Sequence, residues 1–364
     1  DDAAEQLQTQ TVQLSAPVIT AQQPVLSFIG AGNYASSVLV PAFKASGARL
    51  KSIASATGVS SVHVGKKQGI EQATTDSQAL LDDTEVNGLV ISTRHNSHAS
   101  WVQKSLAAGK HVFVEKPLTL TRTELDGLVE TYSTLETPPN VTVGFNRRYA
   151  PHITTIKQLL SSRSEPLSMT MTINAGAIPS DHWVHDPLVG GGRIIGEACH
   201  FIDLLRFLAG SNIESVTAVA MESRCNDSVS IQMRFENGSI GVVNYLANGS
   251  KALAKERLEV FSNGAVLQLD NFRVLDFCEG IEDLNARRVR MIGEPAERYR
   301  EDPVRMLRAI RFAAKLGFSI DEKTQQPLND LAPLLGSIST ARLFDETIKL
   351  LTGGAAVATF KLLK

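Results

Sequence analysis

The chain has 364 residues, 43% of them hydrophobic and 20% charged, with a formal net charge of −2. That length suits two or three domains with separate cores, and the composition excludes collagen-like, low-complexity and disulfide-scaffold classes. The near-neutral balance gives no overall preference for nucleic acid. The three cysteines, Cys199, Cys225 and Cys278, form no CxxC pair, so reduced thiols of a cytoplasmic protein are expected rather than a zinc or disulfide framework. No apolar run is long enough to span a bilayer, and the acidic, polar opening DDAAEQLQTQ is not a secretory signal.

Residues 1–24, polar and small residues ending at Pro24, are expected as a linker. In residues 25–148 short apolar runs alternate with helical stretches. Val25–Ile29, Leu50–Ala54, Gly88–Ser92, His111–Val114 and Val141–Gly144 are strand candidates, and the intervening lengths suit crossover helices. Repeated βα units of this kind give an α/β fold with a doubly wound parallel sheet. In residues 149–275 strands follow more closely: Leu167–Asn174, Val216–Glu222, Ser228–Phe235 and Ser239–Leu246, with a hairpin signal at Asn237-Gly238. One helix, about 192–208, interrupts them. An α+β domain with a largely antiparallel open sheet fits. Residues 276–364 read as helices only. Asp302 is the expected N-cap and Pro303 the first helical position of one of them, and Gly317 ends it.

The segment VLSFIGAGNYA places GxGxxA directly after a strand and at a helix start. Gly30 permits the tight turn, and Gly32 lets the backbone approach a pyrophosphate lying on the helix N-terminus. No Asp or Glu occurs from Ala31 through Ile70. A carboxylate near the end of the second strand would accept from a ribose 2′-hydroxyl and repel a 2′-phosphate. Ser55 or Thr57 takes that corner instead, with Lys66 and Lys67 beyond, so NAD and NADP both remain open.

Lys116 follows the strand HVFVE, at the carboxyl end where open sheets bind ligands. Partly desolvated and near other cations, a lysine there exchanges a proton with a substrate hydroxyl more readily. His200 lies in GGGRIIGEACHFIDLL, with Glu197 and Asp203 each three residues away and on the same helical face. A carboxylate beside an imidazole orients it and raises its pKa, which suits general acid–base work. No metal is expected: His182, His185, His200 and Glu197 are donors, but DHWVH lacks the HExxH spacing.

These segments, with ISTRHNSH, GKHVFVEKPLTLT and VGFNRRYAP, resemble the glucose–fructose oxidoreductase/inositol dehydrogenase family over about residues 24–275. Within it they look most like the module that follows a zinc-type alcohol dehydrogenase-like half in bacterial two-domain dehydrogenases. The resemblance implies a Rossmann domain, a substrate domain and NAD(P)-dependent redox chemistry on a sugar or sugar derivative. It places Lys116 and His200 on catalytic positions, joined here by Glu197. Gly30, Gly32, Asn33, Tyr34, Ser55, Thr93, His98, Glu115 and Lys116 are the cofactor candidates. Asn146, Arg147, Arg148, Trp183, His185 and Asp186 could line the sugar site, and the open sheet is a surface through which copies could associate. The family's aspartate four residues before the histidine is Gly196 here, and Glu197 is the substitute.

From about residue 276 the sequence resembles instead the neck region of bacterial poly(A) polymerases and CCA-adding tRNA nucleotidyltransferases. The stretch EDLNARRVRMIGEPAERYREDPVRMLRAIRFAAKLGF carries the likeness, which implies RNA or nucleotide binding. Glu301, Asp302 and Arg305 match an EDxxR element that reads a nucleotide base. Arg305, Arg308, Arg311 and Lys315 fall within about 120° of one helical face. Between Arg287 and Lys315 nine basic residues face four acidic ones, an excess that can attract phosphates. A solvated face paired with its own acids fits equally well. The nucleotidyltransferase head is absent upstream, so no polymerisation is expected. The oxidoreductase family continues past FRVL, where this chain changes family. The readings left open are a sugar oxidoreductase, an RNA- or nucleotide-binding fragment, and a fusion that holds cofactor without turnover.

Overall fold

The computed structural model describes residues 10–16, 23–161, 165–222, 227–272, 274–276 and 280–363. It divides into two units, one of residues 1–264 and 269–273, the other of residues 265–268 and 274–364. Cys225 and Cys278 lie outside the described residues, and Cys199 is a free thiol. Among the described residues no helix is long and apolar enough to cross a membrane.

The first unit contains a seven-stranded sheet. Its strands are Thr11–Gln13 (β1), Val25–Ile29 (β2), Arg49–Ala54 (β3), Gln72–Thr74 (β4), Gly88–Ile91 (β5), His111–Val114 (β6) and Val141–Val143 (β7), in the order β1-β4-β3-β2-β5-β6-β7. All neighbours run parallel except β1 and β4. The order reverses at β2, between β3 and β5, which makes a crevice at the strands' carboxyl ends. β5 is buried throughout and β2 nearly so, as expected for strands covered on both faces. The crossover helices include Val40–Ala45 (α1), Val59–Gln68 (α2), Gln78–Asp82 (α3), His98–Ala107 (α4) and Arg122–Ser133 (α5). Thr121 and Glu124 form a capping box at the start of α5.

The expected linker is corrected in one part: β1 lies within residues 1–24 and pairs antiparallel with β4. Leu14 N–H and Ser15 N–H donate to the Glu71 carbonyl, and Leu14 packs on the core of Phe28, Ile53 and Ile70. β4 was also not legible, because QAT is short and polar.

Beyond helix Pro151–Leu160 (α6) the unit forms a second sheet. Ser168–Asn174 (β8), Ile213–Ala220 (β9), Val229–Phe235 (β10), Ile240–Leu246 (β11) and Glu256–Ser262 (β12) stand in the order β12-β8-β11-β10-β9. Only β8 and β11 pair in parallel among these strands. β10 alternates buried and more exposed residues, the pattern of a sheet with one covered face. The neighbouring β11 packs against the helix Cys199–Ala209 (α7). β12 could not be read from the sequence, because ERLEVFS follows a turn with two lysines and opens on the adjacent charges Glu256 and Arg257, which break a clean alternation. The strands Ala265–Asp270 (β13) and Val274–Asp276 (β14) follow.

The second unit is mainly helical: Gly280–Asn285 (α8), Pro295–Glu301 (α9), Val304–Leu316 (α10), Glu322–Gln325 (α11), Leu328–Leu331 (α12), Thr340–Thr352 (α13) and Ala356–Leu362 (α14). The helices-only expectation is corrected by a short parallel pair, Arg288–Val289 (β15) with Ser319–Ile320 (β16). Gly317 closes α10 in the left-handed region at φ 64°. Asp302 ends α9, and Pro303 rather than Asp302 flanks α10, although Asp302 Oδ1 still accepts from Val304 N–H at 3.3 Å. At the α10–α13 contact, Glu346 is 2% exposed and accepts from Arg308 and Lys349 at 3.1 Å. Arg311 Nε stands 4.0 Å away. Glu346→Gln leaves these cations without a counter-charge and should destabilise this unit by about 1–3 kcal/mol, read as faster amide exchange across α13.

Candidate active site

The glycine turn after β2 leads into a π-helical turn, Ala35–Leu39, and then α1. Gly30 has φ +109°, and a Cβ on it would stand 2.6 Å from the Ser92 carbonyl oxygen at the end of β5. Only glycine fits there. Among the described residues, nothing beyond its two chain neighbours lies within 4 Å of the place a Gly32 Cβ would take, so the loop's outer side is open to a ligand. The cradle fits a dinucleotide pyrophosphate. Asn33 faces the loop through its carbonyl, which accepts from Ser36 and Ser37 hydroxyls. The exposed Tyr34 accepts a hydrogen bond at its hydroxyl from Asn146 Nδ2 at 3.0 Å. Ser55 is turned to its own neighbourhood: its hydroxyl donates to Ser61 Oγ and accepts from Ser61 N–H at the start of α2.

Lys116 leaves the carboxyl end of β6, and its amine donates to the Gly196 carbonyl at 2.7 Å. Gly196 belongs to a second π-helical turn, Ile194–Ala198, which runs into α7. This contact joins the two halves of the first unit, and Lys116 lies near enough to His95, His98, Glu115, Cys199 and His200 to bear on the charge of each. His98 is fully buried, with ring nitrogens facing the Pro117 and Thr93 carbonyls at 2.7 and 3.1 Å. Thr93 Oγ1 shares a hydrogen bond with Ser97. Burial raises the Glu115 carboxyl above its ordinary range against the pull of Lys116.

The expected Glu197–His200 pair is not formed. Glu197 accepts instead from Lys255 at 2.5 Å, from the Tyr245 hydroxyl and from Arg193 at 3.4 Å. Burial opposes its charge, but the hydrogen bonds from Lys255 and Tyr245 and the charges of Lys255 and Arg193 outweigh that and hold the acid at about 2. The expected rise at His200 is reversed. Burial first, then the charges of Lys116 and Arg147, push its imidazole down to about 3, and Nδ1 is buried with no hydrogen-bond partner among the described residues. Geometry explains this: the π-helical turn breaks the regular i,i+3 register on which a shared face depends. Asp203, the other neighbour in sequence, is bound by Arg148.

The remaining substrate candidates are largely engaged with protein. Arg147 makes a two-pronged bond to Glu256 at 2.7 and 3.0 Å and covers Phe272. Arg148 grips Asp203 and covers Phe207. Asp186 caps its own turn by accepting from Leu188 N–H at 2.8 Å. Trp183 stands edge-on to His95 with ring centroids 4.9 Å apart, and Arg94 lies over it. His185 follows in the same short 3₁₀ turn, its Nε2 buried and unpartnered among the described residues. The candidates therefore divide: Lys116, His200 and Glu115 gather with the unforeseen His95, while Glu197, Arg147, Arg148 and Asp186 brace the walls. His95 had a signal in ISTRHNSH, three residues before His98. Tyr245 and Lys255 lie about 50 residues from Glu197, and no local pattern could have joined them.

In the second unit the EDxxR element is neutralised internally. Glu301 accepts from Arg298 and Arg305 at 2.6 and 2.9 Å, Asp302 from Arg342 at 2.8 Å, and Arg308 bonds Glu346. The basic stripe is thus partly offset by its own acids.

Residues 26–145 match the family described as "Oxidoreductase family, NAD-binding Rossmann fold", and residues 154–268 match the GFO/IDH/MocA C-terminal domain. These stretches take up more than half of the chain and lie on the two sheets of the first unit, so residues 26–268 belong to the GFO/IDH/MocA oxidoreductases. Residues 317–364 match a different family, "Probable RNA and SrmB- binding site of polymerase A", and the chain is a join of the two. The myo-inositol 2-dehydrogenase of Thermotoga maritima is 27% identical over 220 residues, 57% of this chain and 64% of that protein. A structure of levoglucosan dehydrogenase in complex with NADH shares the fold, with a TM-score of 0.63 and 23% identity, covering 70% of this chain and 76% of that one. The poly(A) polymerase I of Haemophilus influenzae is 55% identical over 89 residues, 24% of this chain. The chain spans 20% of the length of that polymerase.

The Glu197 network carries a pH signature. A carboxylate lowered from about 4.3 when unfolded to about 2 when folded stabilises the fold above the unfolded value and ceases to do so as pH falls through the lower one. Wild type should lose on the order of 3 kcal/mol of this contribution between about pH 4.3 and 2. Glu197→Gln, which cannot titrate, should show a correspondingly flatter dependence in urea unfolding over that window.

Proposed function

We propose that the first unit is an NAD(P)-dependent oxidoreductase acting on a sugar or sugar derivative, with Lys116 as the proton-transfer group and His200 as its partner. The observation that carries this reading is the Lys116–Gly196 contact, which brings the lysine at the carboxyl end of β6, in the sheet whose β2 ends at the glycine turn, together with the helix bearing His200. The family of residues 26–268 supports the redox class, and the named polyol and sugar dehydrogenases support the substrate class.

The nicotinamide cofactor, when bound, would supply the hydride acceptor or donor. Lys116 Nζ is the group that takes the proton of the substrate hydroxyl in the oxidative direction and returns it in the reductive one. His200 is held neutral by burial at neutral pH, so it can orient that hydroxyl by a hydrogen bond without adding charge. Absence of any carboxylate from Ala31 through Ile70 leaves no repulsion toward a 2′-phosphate. Both NADH and NADPH should therefore bind, each read by enhanced fluorescence. With myo-inositol or levoglucosan as trial substrate, Lys116→Ala should lower turnover by about 10²–10⁴-fold while cofactor still binds. Turnover that survives the substitution would remove the proton-transfer role. Cofactor binding with no turnover by wild type on a wide panel of polyols would favour a fusion that only holds the dinucleotide.

A second reading rests on the 55% identity of the tail to a poly(A) polymerase: the second unit binds RNA or nucleotide weakly. Arg308, 41% exposed at its side chain, keeps a face to solvent despite its bond to Glu346. Retention of a poly(A) oligonucleotide should fall with salt and fall further in an Arg305→Ala/Arg308→Ala variant. Retention unchanged by both would end this reading.

A further inference from the structure

The Gly196 backbone does not need glycine for its conformation. It lies in a helical turn and is not among the residues with positive φ. Space is what excludes a side chain. A Cβ built there would stand 2.8 Å from His95 Cε1 and 3.3 Å from His95 Nδ1. The His95 ring cannot easily retreat. Its Nδ1 is 2.8 Å from the Gly190 carbonyl, and its edge-on neighbour Trp183 stands on one side. Gly190 is itself pinned, since a Cβ on it would meet Val184 Cα at 2.4 Å and the Trp183 carbonyl oxygen at 2.6 Å. Burial pushes the His95 imidazole down to about 4, so near neutral pH it is uncharged and donates from Nδ1 to that carbonyl. On the far side of Gly196, its own carbonyl oxygen holds the Lys116 amine.

We propose that His95 is a positioning residue for Lys116: its ring, wedged between Gly190 and Gly196, fixes the Gly196 carbonyl and thereby the place of the Lys116 amine. Residues 95 and 196 form a matched pair, in which the imidazole at one requires a bare Cα at the other. The catalytic meaning of this pair rests on Lys116 being the proton-transfer group, as proposed above, but the contact itself does not. It also gives a physical reason for glycine, rather than a carboxylate, at position 196.

The test is a double-substitution cycle on the full chain, with Gly196→Ala, His95→Ala and the two combined. Lys116 acylation by acetic anhydride is followed by peptide mass mapping, with exposed lysines of the same chain as internal references, and melting temperature is recorded beside it. Gly196→Ala should lower the melting temperature and raise Lys116 reactivity with His95 in place, and change both far less once residue 95 is alanine. The expected coupling is at least about fivefold in relative Lys116 reactivity. His95→Gln, whose amide can still donate to Gly190, should return Lys116 reactivity part of the way from the His95→Ala level toward wild type. Equal effects of Gly196→Ala in both backgrounds, or Lys116 reactivity untouched by His95→Ala, overturn the proposal. NADH titration of wild type judges the oxidoreductase reading separately: failure to bind NADH overturns that reading and leaves the coupling measured between residues 95 and 196 unaffected.

Discussion

One hydrogen bond, from the Lys116 amine to the Gly196 carbonyl, ties the parallel sheet to the helix that carries His200. A single hydrogen bond from a lysine amine contributes at most about 1.5–3 kcal/mol net, so it cannot hold two layers in register by itself. The π-helical turn that presents the carbonyl is fixed from behind by Glu197, which Arg193, Tyr245 and Lys255 grip from the helix and from the second sheet. π-turns are disfavoured backbone and persist where side chains over-determine them. The carboxylate expected to serve the histidine therefore serves the scaffold, and the geometry at the lysine follows from it.

The chemistry of the site is shaped by what is kept uncharged. Burial lowers the imidazoles of His95, His98 and His200 and raises the thiol of Cys199 to about 11. Neutral rings around a lysine give directional contacts without competing for its proton. The acids that could have neutralised the cluster are committed elsewhere, Asp203 to Arg148 and Glu256 to Arg147. On the proposed reading, a polar substrate there would meet oriented dipoles, and proton transfer would depend on placement.

The parallel sheet was legible because its central strands are apolar runs at βα spacing, and Val25–Ile29 and His111–Val114 have the bounds read from sequence. The glycine turn was legible because its requirement is local: Gly30 adopts a conformation and a closeness that other residues cannot. The polar strands β1 and β4 were not, since their pairing joins residues about sixty positions apart. For the same reason Lys116 and His200 could be singled out while the partners of Glu197 could not. An i,i+3 spacing predicts a shared face only on a regular helix, and nothing in RIIGEACH announces the wider turn. In the tail, the positions of Arg305 and Arg308 showed a stripe, but its neutralisation by Glu301 and Glu346 needed the fold.

The antiparallel pairing of Thr11–Gln13 with Gln72–Thr74 has a consequence for solubility. A bare outermost strand in a parallel sheet offers a ladder of unmet amides and carbonyls, on which a neighbouring molecule can grow a continuous fibre-like seam. Here the chain supplies its own selvedge: a polar strip of three residues closes that ladder, and its residues are all exposed. The margin is then β1 itself, and an edge only three residues long gives a neighbouring molecule little to extend, in a segment whose composition gives no hint of the task.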